Sequence, residues 1–519
     1  MRRPRRAPAA WVAWVAGGGR GFRQYNAPMQ ESGGALYTAD QVRALDRRAI
    51  DEFGVPGYEL MTRAGHATLN ALRSLWPAAR SITVLCGPGN NGGDGYVVAR
   101  VARAQGLATI VVAASDPGRL TGDARRAFDD FAAAGGRCQS WSSDALESDV
   151  IVDALFGTGL VRELTGDPAA MLAAANASGR PIVAVDVPSG LHADTGVVLG
   201  IAARAELTVT FIGRKLGLYL GAGPEHRGQL VFDDLGVPSA TWAGAEPAAL
   251  LLGEADVRAA LPRRRRTAHK GAHGHVLVIG GGPGMPGAAR LAGEAALRAG
   301  AGLVTVAVHP DNVGIIASRP ELMCVAMHSA ADLEPALARA TVLAIGPGLG
   351  TSDRAQAALR VAMESGKPLI VDADALNLLA AAPVERDHWI LTPHPGEAAR
   401  LLGSTSDAVQ SDRFAAAREL QRRYGGHVVL KGAGSIVQSP GATPRLCDRG
   451  NPGMAVGGMG DVLTGVVSGI AAQCGKLGLA ARAGTFVHAR SGDLAARKGE
   501  RGLLATDVLE QVRACVNPD

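Results

Sequence analysis

Residues 81–96 read SITVLCGPGNNGGDGY: a short apolar run, a glycine-rich corner and the start of a second regular segment. Ile82–Leu85 is apolar but for Thr83, too uniformly so for a strand there to have a wet face. The corner supplies Gly87, Gly89, Gly92, Gly93 and Gly95, which let a chain pass tightly from strand to helix. Upstream, Thr38-Ala39-Asp40-Gln41 is a capping box opening a helix whose apolar stripe is Val42, Leu45, Ala49 and Ile50. Downstream, strand-like runs at Thr109–Ala113, Val150–Val152, Ile182–Val185 and Leu207–Phe211 alternate with alanine-rich stretches such as Asp123–Ala134 and Ala169–Ala177. A βαβα rhythm with uniformly apolar strands predicts α/β architecture: a parallel sheet covered on both faces, in three αβα layers.

The rhythm lapses over 236–250 (GVPSATWAGAEPAAL) and restarts after Arg263–Arg266. It continues with His275–Ile279, Leu303–Val308, Val342–Ile345, Leu369–Val371, Trp389–Leu391 and Val428–Leu430. A chain of 519 residues is too long for one ordinary core. The expected division is a disordered basic arm over 1–34, a Rossmann-like domain over 35–240, a linker over 241–252 and a second α/β domain over 253–517.

Composition narrows the function classes. Hydrophobic content of 47% with 19% charged residues excludes a disordered chain, and 4% aromatics weighs against base-stacking nucleic-acid modules. The net charge of +5 comes from the N-terminus: residues 1–30 hold Arg2, Arg3, Arg5, Arg6, Arg20 and Arg23 and no acid, leaving the remainder one unit negative. No polyanion-binding surface follows. MRRPRR followed by AAWVAWVA mimics a targeting signal, but the apolar patch gives way at once to Gly17–Gly19; an arm, or a start nearer Met29, is the expectation. No apolar run approaches the ~20 residues of a membrane span. Six scattered cysteines without a C-x-x-C pair read as reduced thiols of a cytoplasmic protein.

Three glycine loops follow strands: Gly87–Gly92, Gly282–Gly287 and Gly346–Gly350. Each is a candidate anion cradle at a helix N-terminus. No G-x-x-x-x-G-K-[ST], H-E-x-x-H or G-x-S-x-G occurs, which argues against a Walker-type NTPase. The first loop carries more than a turn requires, since Asn90-Asn91-Gly92-Gly93-Asp94 packs amides and a carboxylate into one corner. Asp153 and Asp186 each end an apolar strand, the edge of a parallel sheet where ligands bind. Asn91, Asp153 and Ser189 offer oxygens to a hard monovalent cation, leaving Asp186 for acid–base work.

With N-N-G-G-D-G, D-x-x-F-G-T-G-L and D-x-P-S-G in order, residues from about 36 to 235 resemble the NAD(P)HX epimerase domain. The resemblance implies that Asn90, Asn91, Gly92, Gly93 and Asp94, together with Gly157, Thr158, Gly159, Leu160, Val161, Arg162 and Glu163, embrace a hydrated nicotinamide dinucleotide. It also implies a potassium ion held by Asn91, Asp153 and Ser189, with Asp186 at the nicotinamide. Lys215, in TFIGRKLG, is a second acid–base or phosphate contact.

The second half is dominated by GNPGMAVGGMGD (450–461), running into the apolar segment Val462–Cys474. A buried helix there offers free amides and a positive dipole end to a transferring phosphate. Asp461 at that mouth repels phosphate, so its useful role is general base toward an attacking hydroxyl. Lys431-Gly-Ala-Gly434-Ser435, Thr392-Pro-His394-Pro-Gly-Glu397 and Asp372-Ala-Asp374-Ala-Leu-Asn377 add a cation, an imidazole and carboxylates at other strand ends.

Residues from about 250 to 515 resemble the ribokinase-like fold in its ADP/ATP-dependent NAD(P)HX dehydratase form, through H-K-G-x-x-G-x-V, D-A-D-A-L-N, T-P-H-P-G-E, K-G-x-G and G-G-x-G-D. The resemblance implies that Lys431, Gly432, Ala433, Gly434, Ser435 and Gly460 hold ADP or ATP, while Gly348, His394 and Asp461 meet the hydrated cofactor. Magnesium is a further expected companion; no N-x-x-E motif assigns its ligand, and Glu397 is the residue considered. The expected partners are NADHX or NADPHX and an adenine nucleotide, with no nucleic acid, no membrane and a homo-oligomeric assembly. Together the two resemblances imply epimerisation followed by nucleotide-dependent dehydration. The rival reading is a vitamin or sugar kinase fused to a non-catalytic binding module.

Overall fold

Strands without a polar face must be covered on both sides, and Ile82, Val84, Leu85 and Cys86 are each 0% exposed. In the computed structural model, which describes residues 34–518, these residues lie in the strand Ser81–Cys86. The basic arm expected over 1–34 lies outside the described residues but for Gly34. Ser81–Cys86 sits inside a seven-stranded sheet. Its spatial order is Cys138–Gln139, Ala108–Ala113, Ser81–Cys86, Val150–Ala154, Ile182–Val185, Leu207–Phe211 and Gln229–Asp233. Every pairing is parallel. The order reverses between Ser81–Cys86 and Val150–Ala154, which opens a crevice at their carboxyl ends. Asn91 and Asp153 stand on its two sides.

The second sheet starts the same way. Met323–Ala326, Leu303–Val308, His275–Ile279, Val342–Ile345, Leu369–Val371, Trp389–Leu391 and His427–Leu430 run parallel in that order. Two departures from expectation follow. Ser435–Gln438 and Arg445–Cys447 continue the sheet antiparallel, so it is mixed. The segment 241–252 is not a free linker: Ala249–Leu251 pairs with Arg445–Cys447 on one side and Ala35–Tyr37 on the other, and Arg214–Lys215 closes the edge. Three short pieces from the first half of the chain thus complete the sheet of the second. Leu36, Leu216, Leu218, Tyr219 and Leu220 share one apolar core with Leu391, Leu430, Ile436 and Leu446. Runs as short as Ala249–Leu251 carry little periodicity, and it is their sheet partners that make them strands.

Among the described residues no helix is long and apolar enough to cross a membrane. All six cysteines are free.

Candidate active sites

In the second domain, three parallel strands stop side by side and deliver one side chain each. Leu369–Val371 leads to Asp372, Trp389–Leu391 to His394, and His427–Leu430 to Lys431. Facing them is the N-terminus of the helix Met459–Cys474, carrying Gly460 and Asp461. That helix is buried almost all round, and Gly465 and Gly469 let it lie directly on the helix Pro286–Arg298: a Cβ at either would strike the carbonyl of Ala292 or Ala296. The result is a cavity of about 370 Å³ lined by Asp372, His394, Glu397, Lys431, Gly460 and Asp461 among others.

Asp372, 1% exposed, accepts from Lys431 Nζ at 2.6 Å and from Thr464 Oγ1 at 2.7 Å. Ala373 beside it has φ +47°, a left-handed conformation that a residue with a Cβ adopts at a cost and that clusters at functional sites. Burial acts to lower the Lys431 ammonium, but the carboxylates of Asp372 and Glu397 outweigh it and hold the group above its ordinary value. Gly460 lies over this ion pair; a Cβ there would stand 3.4 Å from Lys431 Nζ and 3.5 Å from Asp372 Oδ2. Burial pushes the Asp461 carboxyl up to about 7, with the charge of Asp372 adding to it and that of Lys431 opposing. A carboxylate poised near neutrality is suited to general base work.

His394 caps the helix Pro395–Leu402: its Nδ1 accepts from the Gly396 and Glu397 amides at 3.0 and 3.3 Å, while Glu397 Oε2 accepts from its N–H at 2.8 Å. Burial lowers the imidazole, against the pull of Glu397. With Nδ1 accepting, the neutral ring carries its proton on Nε2 and presents a donor. Glu397 does not suit the magnesium role considered for it. It is 5% exposed, and its oxygens already engage the His394 backbone, His394 Nε2 at 3.4 Å and Lys431 Nζ at 3.7 Å.

The expected residues do not all converge. Lys431, Gly432, His394, Gly460 and Asp461 line the cavity, while Gly348, Ala433, Gly434 and Ser435 do not. Gly348 belongs to a neighbouring strand end, where two glycine loops are zipped together. Gly281 N–H donates to Pro347 O at 2.9 Å and Gly282 N–H to Gly348 O at 2.6 Å. Gly434 is packed so that a Cβ would meet the Tyr219 carbonyl.

The first domain gathers its side chains at the switch point. Asp153, fully buried, accepts from Ser189 Oγ at 2.6 Å, Ser189 N–H at 2.8 Å and Leu155 N–H at 3.2 Å. Burial raises it to about 6 against these donors, and no cation is among the groups acting on it. Asn91 Oδ1 lies against Gly157, and its buried Nδ2 has no partner. The Asp153 carboxylate without a counter-cation, the Ser189 hydroxyl and Asn91 Oδ1 are oxygens that fit a monovalent cation; the orphaned Asn91 Nδ2 is a hydrogen-bond donor and takes no part in such a set. Among the described residues no cluster of three or more His, Cys, Asp or Glu is arranged to hold a metal.

Asp186, the residue expected at the nicotinamide, is paired with Lys215, the other acid–base candidate of this half. Held at φ +66° at the end of Ile182–Val185, it accepts a short hydrogen bond from the 1%-exposed Lys215, and further bonds from Thr210 Oγ1 and Phe211 N–H, both at 3.2 Å. Lys215 also donates to Phe211 O at 2.9 Å. Asp94 faces the same cluster; burial first, then the charges of Asp186 and Asp46, push its carboxyl well up. Asp46, which the sequence reading missed, is raised to about 6 by burial, with Lys215 opposing. Its only signal was a carboxylate placed beside the Val42–Leu45–Ala49 stripe. One turn earlier, Arg43 Nη1 donates to Thr158 O at 3.3 Å, so this helix flanks the Gly157–Glu163 loop. In that loop Leu160 is buried, while Val161, Arg162 and Glu163 are exposed.

A family model described as NAD(P)H-hydrate dehydratase matches residues 276–513, and one described as YjeF-related protein N-terminus matches residues 57–217. The bifunctional NAD(P)H-hydrate repair enzyme Nnr of Coxiella burnetii is 48% identical over 93% of this chain and 99% of its own length. The chain belongs to the bifunctional NAD(P)H-hydrate repair enzymes. The repair enzyme of Escherichia coli is 45% identical, covering 93% of this chain and 94% of that one. Among solved structures, the ADP/ATP-dependent NAD(P)H-hydrate dehydratase of Bacillus subtilis, co-crystallised with ATP/Mg2+, is 30% identical over 51% of this chain and 96% of that chain, with a TM-score of 0.46. Both halves of a repair enzyme are therefore present, and the two centres described above lie one in each half.

Proposed function

We propose that this repair enzyme handles hydrated NADH and NADPH at two chemically separate centres: R- and S-forms are interconverted at Asp186–Lys215, and the S-form is dehydrated at Asp461 at the expense of ADP or ATP. Hydration leaves a hydroxyl on the carbon beside the ring nitrogen, and hydroxide is a poor leaving group. In the second centre, Asp461 takes the hydroxyl proton as the oxygen attacks the terminal phosphoryl group of the nucleotide. The bond to the departing AMP or ADP breaks, and the ring nitrogen then expels phosphate as a neighbouring C–H proton leaves, restoring the reduced ring. The helix amides beside Gly460 stabilise charge on the transferring group. His394 Nε2–H and Lys431 orient the reacting groups, and Asp372 keeps Lys431 in place.

Only one epimer presents its hydroxyl in line with the phosphoryl group. In the first centre, the Asp186–Lys215 pair gives a proton to the departing hydroxyl and takes one back from the water returning on the other face, assisted by the ring nitrogen. Asn90–Asp94 and Gly157–Glu163 hold the dinucleotide. Asn91, Asp153 and Ser189 would hold a potassium ion, which would supply positive charge to this centre. Free thiols fit placement in the cytoplasm.

The observation that carries the reading is Asp461 at the N-terminus of a buried helix, lining one cavity with Lys431, His394 and Gly460. The test is incubation of purified protein with mixed hydrated NADH epimers and ADP. Reduced nicotinamide absorbance should return to completion; a persisting phosphorylated product would instead favour a small-molecule kinase.

A further inference from the structure

Arg413 is 3% exposed and opens the helix Arg413–Tyr424, yet no carboxylate holds it. Its Nη1 donates to Gln410 Oε1 at 2.6 Å. Its Nη2 reaches the carbonyls of Leu430, Lys431 and Gly434 at 3.3, 3.1 and 3.3 Å, and its buried Nε has no partner. All three carbonyls belong to the end of one strand and the loop after it, the stretch Lys431–Ser435 proposed to hold the nucleotide. The guanidinium also lies against Gly432, where a Cβ would stand 2.9 Å from both terminal nitrogens. Burial alone lowers the group to about 10, and no acidic neighbour counters it.

A buried cation ordinarily sits against an anion, because removing the charge from water is costly. Here the protein supplies only carbonyl dipoles. Lys431, the other cation of the loop, is already committed to Asp372 and Glu397. The amides that follow two of these carbonyls are held as well, Lys431 N–H by Pro393 O at 2.9 Å and Gly432 N–H by Ser435 Oγ at 3.3 Å, so the loop is fixed on both sides of its backbone while the guanidinium beneath it keeps its charge.

We propose that Arg413 is the positioning residue of the nucleotide loop: it folds the loop carbonyls inward and leaves an uncompensated positive charge whose counter-ion is the phosphate chain of the adenine nucleotide. This rests on the reading of Lys431–Ser435 as the nucleotide loop.

The test is calorimetric affinity for ATP, ADP, AMP and adenosine, in the full chain and in Arg413→Met. Turnover at the first centre reports an intact fold. The loss in Arg413→Met should be largest for ATP, about tenfold or more, and shrink stepwise to near nothing for adenosine. An equal loss for all four ligands, or none, overturns the proposal. Arg413→Lys keeps the charge but cannot bridge three carbonyls, so its loss should be small and uniform along the series; a loss that grows with phosphate charge overturns the proposal even where Arg413→Met does not fold. Ala433→Glu, on the exposed loop, separates the two readings. If it leaves ATP affinity unchanged, the loop is not the nucleotide site and the proposal falls with it. If it weakens ATP while Arg413→Met does not, only the role of Arg413 is refuted.

Discussion

Both centres contain a lysine–aspartate ion pair largely withdrawn from solvent, Lys215–Asp186 in one and Lys431–Asp372 in the other, each with a non-glycine residue, Asp186 or Ala373, at positive φ. What surrounds the pairs differs. Beside Lys431–Asp372 stands a further carboxylate, Asp461, which the pair leaves unneutralised and which burial raises to about 7. Beside Lys215–Asp186 stand Asp94 and Asp46, but the aspartate expected to do the chemistry is itself the one in the pair. In the proposed function the same motif braces a separate base in one half and forms the proton-handling group in the other.

The largest effect belongs to Asp461→Asn, which removes the proton acceptor outright. Nucleotide-dependent conversion of the S-form should fall by about 10²–10⁴-fold while R-to-S exchange continues, as read by chromatography of the epimers. Next comes Lys215→Met, which leaves Asp186 largely buried without its cation. Epimerisation should vanish, and chemical denaturation should show a loss of about 3–5 kcal/mol. An Asp186→Asn variant that still strands no R-form would remove the pair from the mechanism.

Smaller effects sharpen the contrast. Dehydration limited by Asp461 ionisation should drop about tenfold per pH unit below about pH 7, and this limb should be absent from the epimerase profile of Asp461→Asn. The folded state keeps the Asp461 proton between the ordinary carboxylate range and about 7, whereas the unfolded chain releases it. Stability contributed by this group is therefore lost as pH rises through that window. Asp461→Asn should accordingly melt higher than its parent at about pH 8, and less so at about pH 5. Last, residues 35–252 should be more stable than residues 35–240, because only the longer piece keeps Ala249–Leu251 against Ala35–Tyr37.

Much of this was legible in advance for simple reasons. Strands such as His275–Ile279 and Leu303–Val308 announce themselves because burial on both faces makes them almost wholly apolar; their two polar residues, His275 and Thr305, are buried against each other at 2.8 Å. Gly460 and Asp461 were readable because a carboxylate at a glycine-lined helix start has few other uses. Three things were not. Ala249–Leu251 and Arg214–Lys215 become strands only through partners far away in sequence. Nothing in the sequence shows that Lys215, beyond the intervening strand Leu207–Phe211, folds back onto Asp186. Asp46 lies on a helix with an ordinary amphipathic stripe, and only the neighbouring charges brought by three other segments distinguish it.

The most direct measurement of two separable centres is a reciprocal assay in which Asp461→Asn and Asp186→Asn are each supplied with pure R-form, then pure S-form, in the presence of ADP. The account predicts that the first variant scrambles both forms and restores neither, while the second restores reduced cofactor from the S-form and leaves the R-form untouched. If either variant loses both conversions with its fold intact, the two activities share one centre and the account is wrong.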